Sequence, residues 1–142
     1  MSRLFKSRQT AQGVSALKLV VIIDDDLLVL DAIEGLLRSW GFRVVTAASD
    51  SAALARLAEL RQSPHLIICD YHLSDGTTGI EVIERLRNAF HIPAFLISGD
   101  AAPELLREAH GRGYHVLHKP VDPTTLRAML NLALKSIAGP EQ

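Results

Sequence analysis

Val20-Val21-Ile22-Ile23 runs directly into Asp24-Asp25-Asp26, and this junction limits the possible folds more than any other stretch of the chain. Four consecutive β-branched residues read as a strand buried on both faces, the kind found in parallel sheets. Three successive carboxylates at its carboxyl end repel one another, so folding alone gives no reason for them. A hard cation does give one, because Mg²⁺ is held by carboxylate oxygens together with phosphate. The carboxyl ends of strands are also where open α/β sheets bind ligands. One of the three aspartates can instead cap the helix that follows.

Apolar strand-like runs alternate five times with helical patterns. The strands are expected at Leu19–Ile23, Arg43–Ala47, Leu66–Cys69, Ala94–Ile97 and His115–Leu117. Leu27, Leu30, Ile33, Leu37 and Trp40 follow helical spacing, with Gly41 placed to end that helix. Asp50 is expected to cap a second helix carrying Ala53, Leu54, Leu57 and Leu60. Ile80, Ile83 and Leu86 mark a third, and Leu105, Leu106 and Ala109 a fourth. Asp122-Pro123 opens the last with a cap and a first-turn proline, and Leu126, Met129, Leu130, Ala133 and Ile137 supply its buried stripe. Five βα units imply a doubly wound α/β domain, a parallel sheet with helices on both faces. A dinucleotide-binding version needs a Gly-rich first turn, and here that turn is acidic.

A chain of 142 residues with 48% hydrophobic content can bury one substantial core. Residues 1–17 read as a polar tail or linker, 18–138 as the domain and 139–142 as a short tail. A net charge of −1 gives no general pull toward nucleic acid or a membrane surface. No apolar run reaches the roughly 20 residues of a membrane span. The lone Cys69 allows neither an internal disulfide nor a multi-Cys metal site. A cytoplasmic location follows as the expectation, since the basic opening lacks a signal-peptide core. The histidines at 65, 91, 110, 115 and 118 are too scattered to make a transition-metal site.

In a parallel sheet every carboxyl end lies on one edge. That edge receives Asp24, Asp25 and Asp26 after the first strand, Asp70 after the third, Ser98 after the fourth and Lys119-Pro120 after the fifth. These residue types share one chemistry. Asp70 can act as a carboxylate nucleophile that accepts a phosphoryl group. A metal on Asp25 and Asp70, with Lys119, can neutralise the phosphoryl oxygens, and the Ser98 hydroxyl can donate to them.

With Val-Ile-Ile-Asp24-Asp25-Asp26, Ile-Cys-Asp70-Tyr-His-Leu-Ser-Asp-Gly, Leu-Ile-Ser98-Gly and His-Lys119-Pro120, the chain resembles the receiver domain of two-component response regulators over about Lys18 to Ile137. The resemblance implies a flavodoxin-like (βα)5 fold with strand order 2-1-3-4-5. It makes Asp70 the phosphoacceptor and Asp25 and Asp70 direct Mg²⁺ ligands. Asp24 would bind through a water and His72 through its backbone carbonyl, while Ser98 and Lys119 would contact the phosphoryl group. The Lys119-Pro120 bond is expected to be cis. The implied partner is a histidine kinase or phosphotransfer domain, together with a downstream protein. The domain is then a signalling module and not an enzyme beyond its own phosphorylation and dephosphorylation.

The chain differs from the commoner family pattern at two places. Val116 stands where many members carry an aromatic switch, with Tyr114 and His118 nearby, and Leu73-Ser74 replaces the usual Met-Pro. The Tyr-His-Leu-Ser-Asp-Gly and Leu-His-Lys-Pro segments look most like receivers attached to hybrid sensor histidine kinases. The expectation is therefore either a stand-alone receiver or part of a hybrid kinase. Two other readings compete. A haloacid-dehalogenase-like phosphohydrolase would use Asp24 and Asp26 but leaves Asp70 unexplained. A receiver-like interaction domain that is never phosphorylated leaves the intact acidic set unexplained.

Overall fold

In the computed structural model, residues 18–100 and 102–138 are described. The tail or linker expected over 1–17 and the short tail 139–142 lie outside them. The elements alternate as β1 (Leu19–Ile23), α1 (Leu27–Ser39), β2 (Arg43–Ala47), α2 (Asp50–Leu60), β3 (Leu66–Asp70), α3 (Gly79–Arg87), β4 (Ala94–Ser98), α4 (Pro103–Gly111), β5 (His115–His118) and α5 (Pro123–Ala138). All strand pairs are parallel, in the order β2-β1-β3-β4-β5. This is the flavodoxin-like arrangement expected.

The β-branched run of β1 is buried at every position because the sheet is covered on both sides. Leu19, Val21 and Ile23 face one core with Ala53 and Leu57 of α2, Ile83 and Leu86 of α3, and Leu105 and Ala109 of α4. Val20 and Ile22 face the other, with Leu30, Ile33 and Leu37 of α1 and Leu126, Leu130 and Leu134 of α5. Alternate residues of one strand thus hold the two helical layers together.

Three strands run one residue further than their composition suggests. Pairing of Asp70 with Ile97, and of Ser98 with His118, draws these polar ends into the sheet. The helix starts also differ in part. Asp26 caps α1 by accepting from the Leu28 and Val29 N–H groups, and Asp122 accepts from Thr125 at the start of α5. Asp50, expected to cap α2, is its first helical residue instead. The cap is Ser49, whose Oγ accepts the Ala52 N–H at 3.1 Å.

Leu27 also departs from expectation. It fits the periodic stripe of α1 yet is 73% exposed, beside Leu28 at 80%, because the first turn of the helix lies outside the core. In α5 the fully buried stripe is Leu126, Leu130 and Leu134, with Met129 and Ala133 partly buried beside it. The Ile137 side chain lies outside the described residues. Leu130→Ala should therefore cost about 2–5 kcal/mol in urea unfolding. The 70% exposed Leu132, replaced by Ala, should change stability by less than about 0.5 kcal/mol.

Candidate functional site

The register that pairs Ile23 with Cys69 makes Asp24 and Asp70 neighbours at the carboxyl edge. Asp24 is wholly buried and Asp70 nearly so. Asp24 Oδ1 accepts the Asp26 N–H at 2.9 Å. Its Oδ2 is buried without a directional hydrogen bond and faces Lys119 Nζ at 3.1 Å. The same ammonium lies 3.3 Å from Asp70 Oδ2. Lys119 reaches this point because its backbone N–H is bonded to the Ser98 carbonyl, where β5 leaves the sheet. The Lys119-Pro120 bond is cis, as expected.

Asp25 is held differently. Its Oδ2 accepts the backbone N–H of Ser74, in the loop after β3, at 2.5 Å. This contact with Ser74 keeps the Asp25 carboxyl below its ordinary pKa despite an opposing contribution from burial. Asp24, Asp25 and Asp70 each bring an oxygen within 4.8 Å of the others, the one such group among the described residues. The Asp24 oxygen that lacks a directional hydrogen bond and the all-carboxylate donor set fit a small, hard dication.

The electrostatics agree. Burial, and then the charge of Asp24, push Asp70 up to about 6, against the attraction of Lys119. Burial acts to lower the Lys119 pKa, but the close contact with Asp24 and the charge of Asp70 outweigh it and hold the ammonium above its usual range. One ammonium therefore compensates two buried carboxylates, leaving an excess negative charge that an added cation can neutralise.

Ser98 and His72 stand at the same edge but are turned to other partners. The Ser98 hydroxyl donates to the Asp100 carbonyl at 3.1 Å and accepts the Asp100 N–H at 3.0 Å. His72 Nε2 lies 3.5 Å from Asp100 Oδ2. Asp26 is engaged in capping α1 and contributes no oxygen to the three-carboxylate group. Sequence reasoning missed Tyr71, whose buried ring sends its hydroxyl to Glu108 of α4 at 3.1 Å. The available signal was an aromatic residue directly after Asp70. Gly79 was missed as well. A Cβ there would lie 2.4 Å from the Asp70 carbonyl oxygen, so only glycine lets α3 start so close to the end of β3.

Asp70 titrates near 6 when folded, against 3.8 for the free group. The folded state therefore binds the extra proton between these values. The resulting stability is complete below about pH 4 and is lost as pH rises through about 6. In EDTA, Asp70→Asn should stabilise the domain at pH 7.5 by on the order of 1 kcal/mol in urea unfolding. The advantage should vanish toward pH 4, and an equal gain at both pH values would contradict the charge-based account.

The family model for the response regulator receiver domain matches residues 20–131. The chain is 28% identical over 116 residues to the phyllosphere-induced regulator PhyR of Methylorubrum extorquens, covering 81% of this chain and 43% of PhyR. It is 32% identical over 116 residues to the two-component response regulator ORR3 of Oryza sativa subsp. indica, covering 79% of this chain and 87% of ORR3. The solution structure of the PhyR receiver domain from Erythrobacter litoralis superposes with a TM-score of 0.70 at 31% identity, covering 86% and 93% of the two chains. The chain thus spans less than half of the PhyR protein it matches. Among the described residues no helix is long and apolar enough to cross a membrane. With the βα order, the three-carboxylate edge and the reaching lysine in place, the chain belongs to the response regulator receiver domain family.

Proposed function

We propose that this receiver is a phosphoacceptor in a two-component phosphorelay in the cytoplasm, with Asp70 taking a phosphoryl group from a histidine kinase or phosphotransfer domain. The observation that carries this reading is the single Lys119 ammonium set 3.1 Å from Asp24 and 3.3 Å from Asp70. Such an arrangement leaves Asp70 a charged oxygen nucleophile while keeping a cation beside the position the phosphoryl oxygens would take.

Asp25 and Asp70 would hold Mg²⁺ directly, Asp24 through a water and His72 through its carbonyl. The metal would supply the remaining positive charge on the transferred group. In the transfer an Asp70 carboxylate oxygen forms a bond to phosphorus as the bond to the donor nitrogen breaks. Lys119 then exchanges a carboxylate partner for a phosphoryl oxygen. Ser98 would turn from its Asp100 contacts to donate to the same group.

Attachment to a hybrid histidine kinase remains part of this proposal, carried by the segments around Asp70 and Lys119. The phosphohydrolase reading is disfavoured because Asp26 is committed to the α1 cap, so Asp24 and Asp26 do not act as a pair. A receiver that only binds partners would not need Lys119 placed between two carboxylates.

Incubation with Mg²⁺ and phosphoramidate should add one phosphoryl group by intact mass. Asp70→Asn should abolish that gain, and an unchanged yield in the variant would refute the assignment. A second outcome concerns the response. With Mg²⁺ and beryllofluoride, amide hydrogen exchange should change most at Ser98–Asp100 and along α4. That segment receives the Ser98, His72 and Tyr71 contacts. Changes confined to the neighbourhood of Tyr114 would point to a displaced aromatic switch instead.

A further inference from the structure

Tyr71 and His72, the two residues after Asp70, each hold a different part of the segment that follows β4. The Tyr71 hydroxyl donates to Glu108 Oε1 in α4 at 3.1 Å, and His72 Nε2 lies 3.5 Å from Asp100 Oδ2. Asp100 is also bonded through its main chain to the Ser98 hydroxyl in both directions. Its Oδ1 accepts the Ala102 N–H at 2.9 Å, directly before the first residue of α4. Of these contacts the one from Tyr71 is anchored best. The Tyr71 N–H donates to the Ile97 carbonyl at 2.8 Å, and its carbonyl accepts the Gly79 N–H at 2.7 Å. Its ring is buried in the same core as Leu105 and Ala109 of α4. A buried ring fixed at its backbone leaves the hydroxyl little freedom, so the bond holds Glu108 at one distance from the end of β3.

We infer that the Tyr71–Glu108 hydrogen bond is a resting-state tether on α4, broken when Ser98 turns to a phosphoryl group on Asp70. This rests on the reading of Asp70 as the phosphoacceptor. Ser98 can donate to that group only by leaving the Asp100 carbonyl, and Asp100 in turn holds the residue at the start of α4. Tyr71 does not follow the helix, because its main chain is bonded to β4 and to α3. A shift of α4 by about 1 Å is enough to break a bond of this length. A contact made in only one of two states biases the equilibrium toward that state. By linkage it also opposes any ligand that favours the other. Val116 has no ring to perform this task, and the aromatic residue that joins the site to α4 in this chain is Tyr71.

Beryllofluoride titration of the full chain at saturating Mg²⁺, followed by ¹⁵N–¹H amide shifts, reads the tether. Tyr71→Phe keeps the ring and removes the hydroxyl. It should bind roughly threefold to tenfold more tightly than the wild type, the factor one net hydrogen bond supplies. Glu108→Ala should show a similar gain, and the double variant should gain no more than either single one. Arg112→Ala removes only the exposed outer pairs and should bind within about twofold of the wild type. Without beryllofluoride, the amides of Leu106–Gly111 should exchange faster in Tyr71→Phe. A bond that merely stabilised the fold would loosen α4 in this way but would not tighten binding. Unchanged or weaker beryllofluoride binding in either single variant would overturn the inference, as would additive gains in the double variant. If the wild type itself shows no saturable response, the phosphoacceptor reading fails and the inference with it. If the wild type responds and Tyr71→Phe binds no more tightly, only the inference fails.

Discussion

One ammonium facing two buried carboxylates sets the terms for the rest of this structure. Asp24 and Asp70 are brought together by strand register, since Ile23 and Cys69 are paired immediately before them. Nothing in the pair itself favours that proximity, because like charges at a dry sheet edge cost solvation and repel. Lys119 reaches both from β5, with β4 lying between that strand and β3. Its backbone is anchored by the Ser98 carbonyl at the end of β4. The electrostatic balance therefore needs β1, β3, β4 and β5 in their correct order, and a local change in any of them alters it. The apolar cores on the two faces provide the rigidity that keeps these charged ends in place.

The same balance explains why a phosphoryl group at this edge would be felt elsewhere. Adding it replaces one carboxylate charge by a larger one at the same position, and Lys119 must then divide its attraction differently. The neighbouring residues are already tied to α4 and its preceding loop. Tyr71 bonds to Glu108, and Glu108 Oε2 lies 3.8 Å from Arg112, which in turn pairs with Glu84 of α3 at 2.6 Å. These outer pairs are solvent-exposed and individually weak. The Tyr71 bond originates from a buried ring and is the more directional member of the chain.

The architecture was legible because its strands are continuous apolar runs and its helices carry regular stripes, so the two periods do not overlap. Strand ends were less legible. Asp70, Ser98 and His118 look like loop residues by composition, and only inter-strand pairing extends the strands to include them. The α2 cap was misplaced because Ser49 and Asp50 are both good caps, and the choice depends on the extended backbone of Ser49. Leu27 has the correct spacing but sits a turn too early to reach the core. At the site, residue types at strand ends identified Asp24, Asp25, Asp70 and Lys119. The Ser74 donor could not be read that way, since a main-chain N–H leaves no mark in the sequence other than the absence of proline. Gly79 was missed because its importance lies in a close approach to the Asp70 carbonyl that only the folded chain shows.

The acidic triplet shows how three identical side chains come to differ. Asp24, the first residue beyond β1, points into the sheet edge, where burial forces it against Lys119. Asp26 stands where the chain turns into α1 and satisfies the first free N–H groups of that helix. Asp25 lies between them and has neither a helix end nor an ammonium within its grasp, and its partner is the Ser74 N–H in the loop after the neighbouring strand. The order of the triplet therefore matters more than its total charge. Exchanging the burial of Asp24 for the exposure of Asp26 would leave a charge of −3 in sequence, yet neither Lys119 nor α1 would have its partner. The chemistry of this edge depends on where the strand stops and the helix begins, a boundary fixed by the apolar run that precedes it.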